Sequence, residues 1–586
     1  MRISTKLFAL ALMGGLASCY PSQMGPQWPI TQTAKPFDGP PLDSAQRGQA
    51  PPVADSVTFE RIVGARNEPH NWLTYYGAYD GQRFSALDQI NASNVSRLRP
   101  AWVFQSAPIG LMATPPAYSL ESAPIVVDGV MFLSGFDGHV WAINAATGEE
   151  LWHYRHQIPL DIPLCCGNVN RGVAVARGRV FYSSPNGHLI AIDARTGHPV
   201  WRTVWLDPRA GESSTMAPLV VKNLVIVGSS GAEYGVRGHI DAFDIATGQR
   251  VWRRYTVPAP GEPGSETWGN TDASYRGGGT AWITGTYDPA LDLVYWGTGN
   301  PGPVFHKSNR PGSNLFTNSV LAMDPDDGSI RWHYQYTPGD VWDYDGVNEN
   351  ILFEQGGRRL LAHFDKNGYM FVLDRVTGQR VSVTPFGGRM TWGRIDPASG
   401  AVIPAAVPTP QGTEICPGPA GAKEWPHATY SRSTGLLYTP YLDYCATVRG
   451  FEQEFKESLD YLGGDFQISP GQMHGGGVKA FRTDGSLAWH WRYKFPILAS
   501  LLSTGGGLVF VGTPDGQFIA LDATTGRQVW QFRTGTGIHS NPVTYSVAGR
   551  QYIAVPTGWG GWVEGFAPDL IGHERGSAVF VFSLTQ

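Results

Sequence analysis

The chain has 586 residues, of which only 16% are Asp, Glu, Lys or Arg, and its formal net charge is −5. This charge balance and the lack of a long basic run argue against nucleic acid as a partner. The 73 glycines, 24 tyrosines and 20 tryptophans are typical of many aromatic-rich strands joined by tight turns.

The N-terminus has the pattern of a bacterial secretion signal. Arg2 and Lys6 precede an apolar run that is too short to span a bilayer. The run ends in LASC, which resembles a lipobox, with cleavage before Cys19 and acylation of its thiol. We therefore predict a lipoprotein-type signal peptide over residues 1–18 and a periplasmic protein with a lipid anchor at Cys19. The alternative is an ordinary signal peptide, with Cys19 incidental.

An eleven-residue pattern, as in AIDARTGHPVW, recurs along most of the chain. An alternating strand ends in Asp or Asn, a Gly follows, and a Trp stands four residues after that Gly. The Asp can bond its own turn and Gly supplies a positive φ, so each copy predicts a β-hairpin. The tryptophans are Trp152, Trp201, Trp252, Trp332, Trp489 and Trp530, and one further copy has Ser382 in that position.

The repeats predict the architecture of the whole chain. Turn signals inside them, such as Asn186-Gly187, divide each copy into about four short strands, as in a propeller blade. Seven copies are legible, and YSVAGRQYIAVPTG near the C-terminus has the pattern of another. We predict an all-β, eight-bladed β-propeller with tryptophan-docking repeats over residues 57–586, after a Pro-, Gln- and Ser-rich tether over residues 19–56. Residues 447–475 lack the repeat and are predicted to form a surface insertion.

Three acids crowd into TPGDVWDYDGVNENI, residues 337–351. In an extended strand Asp343 and Asp345 would point to the same side. Two carboxylates on one face repel each other unless a cation lies between them or one stays protonated, and a hard, oxygen-liking cation is the simplest solution. The alternative is turn chemistry, with Asp340 or Asp345 capping a loop. We expect Asp340 to be structural.

Four cysteines besides Cys19 suit an oxidising compartment. Their spacing suggests two pairs, Cys165–Cys166 and Cys416–Cys445, although two buried thiols remain an alternative for the adjacent pair. No CxxCH motif occurs, so the sequence predicts no c-type haem.

Four segments together resemble the PQQ-dependent (quinoprotein) alcohol dehydrogenases, of the methanol and ethanol dehydrogenase type. Residues 337–351 are similar to the catalytic strand of that family. GSSGAEYGVRG (228–238) and WGTGNPGP (296–303) match its segments that supply a Glu and an Asn ligand. CCGNVNRG (165–172) matches its vicinal-disulfide motif. The Trp repeat alone also resembles that of a bacterial outer-membrane assembly lipoprotein, which has no cofactor.

The resemblance implies a site that holds pyrroloquinoline quinone (PQQ) and a metal ion. The implied metal ligands are Glu233, Asn300, Asp343 and Asp345, with Asp343 also the catalytic general base. The implied PQQ contacts are Glu121, Arg171, Thr215, Ser230, Gly231, Ala232, Thr280 and Lys366. The quinone is expected between Trp282 and the Cys165–Cys166 ring.

Some of these residues have structural alternatives. Glu233 and Arg237 could form a salt bridge, Asn300 could shape a turn before Pro301, and Trp282 could be ordinary core. Asp345 resembles the lanthanide-dependent members of the family, and three carboxylates suit a trivalent ion. Some quinoprotein sugar dehydrogenases also carry this Asp, so calcium stays open.

At two positions that are expected to lie near PQQ or the substrate, the sequence departs from the family pattern. Glu424 stands where methanol enzymes have an Asn near PQQ, and Leu498 stands where they have a bulky Trp. We therefore predict a periplasmic PQQ- and metal-dependent dehydrogenase for an alcohol larger than methanol. Its electrons are expected to pass to a soluble cytochrome c or to a quinone. The alternatives are a quinoprotein sugar or polyol dehydrogenase, and a non-catalytic propeller scaffold in envelope assembly.

Overall fold

The computed structural model describes residues 50–106, 119–159, 161–269, 271–468, 471–560, 563 and 576–585. The predicted signal peptide, Cys19 and most of the predicted tether lie outside these residues. Ala50 and Ala54 are buried in the largest apolar cluster, so the packed domain begins before residue 57. Among the described residues, no helix has the length and hydrophobicity needed to span a bilayer.

Helical structure is sparse in the described part of the chain. One α-helix, α1 (Phe59–Val63), begins after Thr58, whose hydroxyl accepts a hydrogen bond from the backbone N–H of Arg61. The 3₁₀ segments are Pro52–Ser56, Ala65–Asn67, Val95–Arg97, Pro208–Ala210, Ala232–Tyr234, Ser265–Trp268 and Asp272–Arg276.

Strands form nearly all of the regular structure, which confirms the all-β prediction. In chain order the first half contains β1 Phe84–Ser85, β2 Leu98–Gln105, β3 Ile125–Val127, β4 Val130–Ser134, β5 His139–Asn144, β6 Glu150–Arg155, β7 Ala174–Ala176, β8 Arg179–Ser183, β9 His188–Asp193, β10 Pro199–Val204, β11 Leu219–Val221, β12 Leu224–Gly228, β13 His239–Asp244, β14 Arg250–Tyr255, β15 Thr286–Asp288, β16 Leu293–Gly297, β17 Ser319–Met323 and β18 Ile330–Gln335. The second half contains β19 Ile351–Gln355, β20 Arg358–Phe364, β21 Tyr369–Asp374, β22 Arg380–Pro385, β23 Gly393–Ile395, β24 Val402–Pro404, β25 Thr413–Ile415, β26 Thr429–Ser431, β27 Leu436–Tyr444, β28 Ala446–Gly450, β29 Gly464–Gln467, β30 Met473–Arg482, β31 Leu487–Tyr493, β32 Leu502–Thr504, β33 Leu508–Gly512, β34 Gln517–Asp522, β35 Gln528–Arg533, β36 Val543–Val547, β37 Arg550–Gly558 and β38 Ser577–Leu584.

Eight sheets of the described chain have four or five strands. Five of them are consecutive antiparallel meanders, β3–β6, β7–β10, β11–β14, β15–β18 and β19–β22. The others are β26-β27-β30-β31, β1-β32-β33-β34-β35 and β2-β38-β37-β36. Because β2 pairs antiparallel with β38, a strand from near the N-terminus completes the last sheet and ties the two ends of the domain together.

The repeated tryptophans contact the turn of the following sheet. The indole N–H of Trp152 donates to the carbonyl of Ala194 (2.9 Å), and the ring packs against Gly197. Gly197 has φ +75°, and a Cβ there would come within 2.9 Å of the ring, so the position requires glycine. Asp193 accepts the N–H groups of the same turn, as the repeat predicted. The equivalent packing pairs are Trp201–Gly248, Trp252–Gly328, Trp332–Gly378 and Trp489–Gly526.

The predicted insertion has regular structure of its own. Strands β28 and β29, within or next to residues 447–475, form a three-stranded sheet with β25. The predicted Cys416–Cys445 disulfide is confirmed, and it joins the end of β25 to the start of β28. The bond therefore fixes the base of the insertion to the domain.

We expect the Cys416→Ala/Cys445→Ala double variant to be less stable by about 3 kcal/mol, because the bond closes a chain segment of 29 residues and restricts the unfolded state. The melting temperature of the purified variant, compared with that of the native protein before and after reduction, measures this effect. Equal melting temperatures for the variant and the oxidised native protein would contradict it.

Candidate active site

Loops from several sheets meet and carry most of the predicted site residues. The loop after β12 carries Glu233 and the loop after β16 carries Asn300, and residues 277–279 link the two. The N–H of Gly278 donates to the carbonyl of Val236 (2.9 Å), and the next N–H donates to the carbonyl of Asn300 (2.8 Å). Gly278 has φ +67°, and a Cβ there would lie 2.6 Å from the Asn300 carbonyl oxygen. The glycines therefore let these loops approach closely enough to share one site.

The acidic stretch before β19 is a turn, so the extended strand predicted there is wrong. The Asp340 carboxylate accepts the backbone N–H groups of Trp342 and Tyr344, both at 3.0 Å, and this curls the chain. Asp343 consequently has φ +69°. Burial raises the pKa of Asp340 to about 6, and its oxygens are occupied by the backbone, in agreement with the structural role predicted for it.

Asp343 and Asp345 nevertheless converge, on the ammonium group of Lys366. The Nζ atom lies 2.9 Å from Asp345 Oδ2, 3.4 Å from Asp343 Oδ2 and 3.9 Å from Glu424 Oε1. Burial by itself lowers the pKa of Lys366, but these carboxylates raise it well above its usual value. Burial raises the pKa of Asp343 well above its usual value, although Lys366 acts in the opposite direction. The Asp343 side chain is 26% exposed, against 5% for Asp345, so Asp343 is the more accessible of the two.

Asp345 joins three parts of the site. Its Oδ1 accepts the backbone N–H of Asn300 (3.0 Å) and the indole N–H of Trp282 (3.3 Å), while its Oδ2 faces Lys366. A Cβ on Gly299 would collide with this carboxylate. The hydrogen bond places the edge of the Trp282 ring at the acidic part of the site.

Glu233 stands on the 3₁₀ turn Ala232–Tyr234, within electrostatic reach of Asp343 and Asp345. Burial raises the pKa of Glu233 and Asp345 adds to this effect, whereas a hydrogen bond with Cys165 opposes it. The alternative of a Glu233–Arg237 salt bridge is wrong, because Arg237 pairs with Glu262 at 3.0 Å.

The donor set suits a hard cation. Glu233, Asp343 and Asp345 supply three carboxylates against the single ammonium of Lys366, which leaves an excess of negative charge. Asn300 donates its Nδ2 to the carbonyl of Pro301 (3.3 Å), so its Oδ1 is the atom left for a ligand. Oxygen ligands of this kind favour calcium and similar hard ions.

A second group of predicted residues surrounds Arg171. Its Nη2 lies 3.0 Å from Glu121 Oε2, and its Nη1 donates to Thr215 Oγ1 (2.5 Å). Thr215 Oγ1 in turn lies 3.4 Å from Ser230 Oγ. Burial raises the pKa of Glu121 to about 6, while Arg171 opposes the shift. Thr280 is buried beside this group and accepts the N–H of Gly299 on its carbonyl (2.7 Å).

Arg171 also lies over two indole rings, which connects this group to the acidic one. Its Cζ atom is 5.0 Å from the centre of the Trp282 ring and 4.6 Å from that of Trp425. Trp425 is a site residue that sequence reasoning missed. Its signal was its position directly after Glu424, which the family pattern had already singled out.

The surroundings of Arg171 fit a flat, anionic group such as PQQ. Within the described part of the chain, Arg171 Nε and Trp425 Nε1 are buried donors with no hydrogen-bond acceptor. Such donors are costly unless a ligand supplies acceptors. Carboxylates and ring carbonyls would do so, and the indole of Trp282 offers a flat apolar face.

The predicted Cys165–Cys166 disulfide is not present in the structure. The two Sγ atoms lie 2.9 Å apart, whereas a disulfide bond is about 2.05 Å long. Cys166 has φ +63°, so the chain bends sharply between the two thiols. The Cys165 thiol instead hydrogen-bonds with Glu233, which places the pair next to a predicted metal ligand.

The two departures from the family pattern both lie at the site's edge. Glu424 accepts the backbone N–H of Trp425 (2.6 Å), and its other oxygen faces Lys366. Leu498 is fully buried in a cluster with Tyr444 and Trp559. The hydroxyl of Tyr444, in the same cluster, accepts the backbone N–H of Ala420, which lies in the segment that leads to Glu424.

A buried ion pair lies behind the site. Lys423 Nζ is 2.9 Å from Glu349 Oε2, and His427 Nδ1 is 3.3 Å from the same oxygen. Burial by itself raises the pKa of Glu349, but Lys423 and His427 lower it to about 2. Sequence reasoning missed this pair, because nothing in the sequence marks two residues so far apart in the chain as partners.

The Glu349 carboxylate is expected to make the protein acid-sensitive. Its pKa is depressed on folding, so its contribution is complete above about pH 5 and is lost as the pH falls towards 2. The melting temperature of Glu349→Gln should therefore lie furthest below that of the native protein at neutral pH. The difference should shrink between pH 5 and 3, and a difference that does not change with pH would contradict the pairing.

Comparisons with known proteins agree with this geometry. The family model "Glucose/ethanol/alcohol dehydrogenase, beta-propeller domain" for PQQ proteins matches residues 72–385 and 472–553. The quinoprotein alcohol dehydrogenase PedH of Pseudomonas putida is 35% identical over 571 residues, which cover 91% of this chain and 94% of PedH. The lanthanide-dependent methanol dehydrogenase of Methylacidiphilum fumariolicum is 37% identical, covering 86% of this chain and 87% of the relative.

A solved structure shows the same fold. The quinohemoprotein alcohol dehydrogenase of Comamonas testosteroni superimposes with a TM-score of 0.83 and 34% sequence identity, covering 91% of this chain and 83% of that one. The residues that the family model matches, 72–385 and 472–553, include the acids and Arg171. The chain therefore belongs to the family of PQQ-dependent quinoprotein alcohol dehydrogenases.

Proposed function

We propose that this protein is a PQQ- and metal-dependent dehydrogenase that oxidises an alcohol to an aldehyde or ketone. The observation that carries the proposal is the convergence of Asp343 and Asp345 on Lys366, with Trp282 hydrogen-bonded to Asp345 and lying under the buried Arg171. In a chain of this family, that arrangement provides a cation site beside a site for an anionic ring. A non-catalytic scaffold in envelope assembly has no need for such a costly group of buried charges.

The residues have distinct parts in binding. Glu233, Asn300, Asp343 and Asp345 would hold the metal ion. Arg171, Thr215 and Ser230 would bind the carboxylates and carbonyls of PQQ, together with Glu121, Gly231, Ala232 and Thr280. When bound, PQQ supplies a two-electron acceptor and the ion a Lewis acid.

Asp343 performs the proton chemistry. It is the more exposed of the two converging aspartates, and its carboxylate accepts the hydroxyl proton of the alcohol. Burial raises its pKa, and Lys366, which lies 3.4 Å away, opposes that shift and favours the ionised form that a base requires. The alcohol loses two electrons and two hydrogens in the reaction and leaves as the carbonyl product.

A lanthanide(III) ion fits the site better than calcium. Three carboxylates, only one ammonium and an amide oxygen favour a trivalent ion over a divalent one. A lanthanide-dependent methanol dehydrogenase is among the relatives and supports this choice. Calcium is the alternative, and the two ions are compared directly in the experiment below.

We further propose that the enzyme acts in the periplasm, anchored through a lipid on Cys19. The signal-like segment over residues 1–18 supports this location. The electrons would pass to a soluble cytochrome c, or to a quinone, because the sequence has no haem-binding motif of its own.

The sheets support the predicted architecture as well. We propose that the eight sheets of four or five strands are the eight blades of one propeller, whose packed part begins before the predicted residue 57. The tryptophan–glycine contacts would dock each blade on the next, and the β2–β38 pair would close the ring.

A dye-reduction assay on the mature protein tests the proposed activity. The protein would receive PQQ with either La³⁺ or Ca²⁺, and alcohols from methanol to bulky secondary ones would be compared with sugars. We expect activity on alcohols, highest with La³⁺ and poor on methanol. Higher activity on sugars would favour a sugar or polyol dehydrogenase. No dye reduction with either ion, together with no bound PQQ, would overturn the proposal.

Leu498 is expected to set the upper size of the substrate. Leu498→Trp should lower kcat/KM for bulky secondary alcohols by about 10- to 100-fold, because a larger ring at this fully buried position would push its neighbours, Tyr444 among them, into the site. Ethanol should be affected much less. Leu498→Met, which keeps the volume, is the matched control. An equal loss on ethanol and on bulky alcohols would contradict this role.

A further inference from the structure

The tip of the insertion, residues 451–462, lies on the turn that carries Glu233. The backbone N–H of Tyr461 donates to the carbonyl of Glu233 at 2.6 Å. The Tyr461 side chain is 5% exposed, so this contact is inside the protein. A main-chain hydrogen bond therefore links the insertion directly to a predicted metal ligand.

Phe455 packs on the same turn from its other end. Its ring lies so close to Gly235 that a Cβ there would come within 2.9 Å of it. The ring meets Tyr461 edge-on, with 5.5 Å between the ring centres. Arg276 lies over it, with its Cζ atom 4.2 Å from the ring centre. Phe455 thus joins the insertion, the Glu233 turn and the 3₁₀ segment Asp272–Arg276.

Further contacts fix the tip from the outside. Asn309 Nδ2 donates to the hydroxyl of Tyr461 (2.8 Å), and the N–H of Phe305 donates to the carbonyl of Leu462 (2.8 Å). The Ser458 hydroxyl donates to the carbonyl of Arg209. The tip is therefore held against several neighbouring loops.

The turn that it covers is short and has glycine at both ends. Ala232–Tyr234 is a single 3₁₀ turn of three residues, flanked by Gly231 with φ +106° and Gly235 with φ +68°. Glycine on both sides leaves the chain conformationally free. Metal ligands must be placed within about 0.2 Å, and contacts that orient a ligand typically change metal affinity 10- to 100-fold.

We propose that residues 451–462 clasp the Glu233 turn and thereby position Glu233 for the metal ion, with Phe455 as the main positioning residue. The inference rests on the proposed function, because it assigns the insertion to the same metal site. In this proposal the insertion raises the affinity of the site for the metal ion, although none of its side chains is itself a metal ligand.

The test is the affinity of the PQQ-free, metal-free protein for La³⁺ and Ca²⁺, measured by titration against a competing chelator. Phe455→Ala should weaken the binding of both ions about 10- to 100-fold. Phe466→Ala is the matched control, because Phe466 is in the same insertion, is 36% exposed and packs on Phe305 rather than on the Glu233 turn. Its affinity should equal that of the native protein.

Folding is followed by the melting temperature, and Phe455→Leu serves as a milder variant with the same expected direction. Native affinity in Phe455→Ala and Phe455→Leu would overturn the clasp and leave the proposed function standing. An equal loss in Phe466→Ala would also overturn it, because the effect would then be general to the insertion. A native protein that binds neither ion would overturn both proposals.

Discussion

Asp343→Asn is expected to lower the rate of alcohol oxidation by at least about 100-fold, the usual range for loss of a general base. The amide keeps the size of the side chain but cannot accept the hydroxyl proton. It also removes one of the carboxylates around Lys366, whose Nζ lies 3.4 Å from Asp343 Oδ2. Rates of dye reduction at saturating PQQ and metal measure the effect on the chemical step.

The comparison requires that binding be measured separately. Metal affinity and PQQ binding of Asp343→Asn should be determined with the same titrations as for the native protein, and the rate compared where both sites are full. Asp326→Asn makes the same change from carboxylate to amide at an exposed turn, where Asp326 pairs with Lys222. This matched control should keep the native rate. A rate within tenfold of the native one would show that Asp343 is not the base.

Asp345→Ala is expected to reverse the metal preference. It removes one of three carboxylates, so the La³⁺-supported rate should fall about 10- to 100-fold, while the Ca²⁺-supported rate should fall less or rise. Asp345 also receives hydrogen bonds from Asn300 and Trp282, so a part of any loss reflects misplaced neighbours.

Asp345→Asn separates the loss of the negative charge from the loss of the hydrogen bonds. The amide oxygen can still accept the hydrogen bonds from Asn300 and Trp282, but the negative charge is gone. If charge sets the preference, Asp345→Asn and Asp345→Ala should change the ratio of La³⁺ to Ca²⁺ activity alike. An unchanged ratio in both variants would contradict a role for Asp345 in the choice of metal.

The repeats made the architecture largely predictable from the sequence. Each Gly in the repeat turn, such as Gly197, needs a positive φ, and in every copy except that of Gly485 it also lies against a tryptophan ring, so local chemistry marks it. The roles of Asp340 and of the Cys416–Cys445 disulfide were also predictable. The role of Asp340 depends on residues that are close to it in sequence. The disulfide was predictable because the chain has few cysteines that could pair.

Features that depend on the packing of distant loops were not predictable. The positive φ of Asp343 follows from hydrogen bonds to Asp340 that a strand pattern does not reveal. Trp425 takes its place beside Arg171 only when loops from different sheets meet. The Glu349–Lys423 pair is 74 residues apart in the chain. The sequence around each of these residues does not indicate which distant residue it will contact.

The measurement that tests the central claim most directly is the position of the metal ion. Crystals of the protein reconstituted with PQQ and La³⁺ would give anomalous scattering from the ion. We predict one strong peak within ligand distance of Glu233, Asn300, Asp343 and Asp345, beside density for PQQ next to Arg171. A peak elsewhere, or no peak in crystals of active enzyme, would contradict the account.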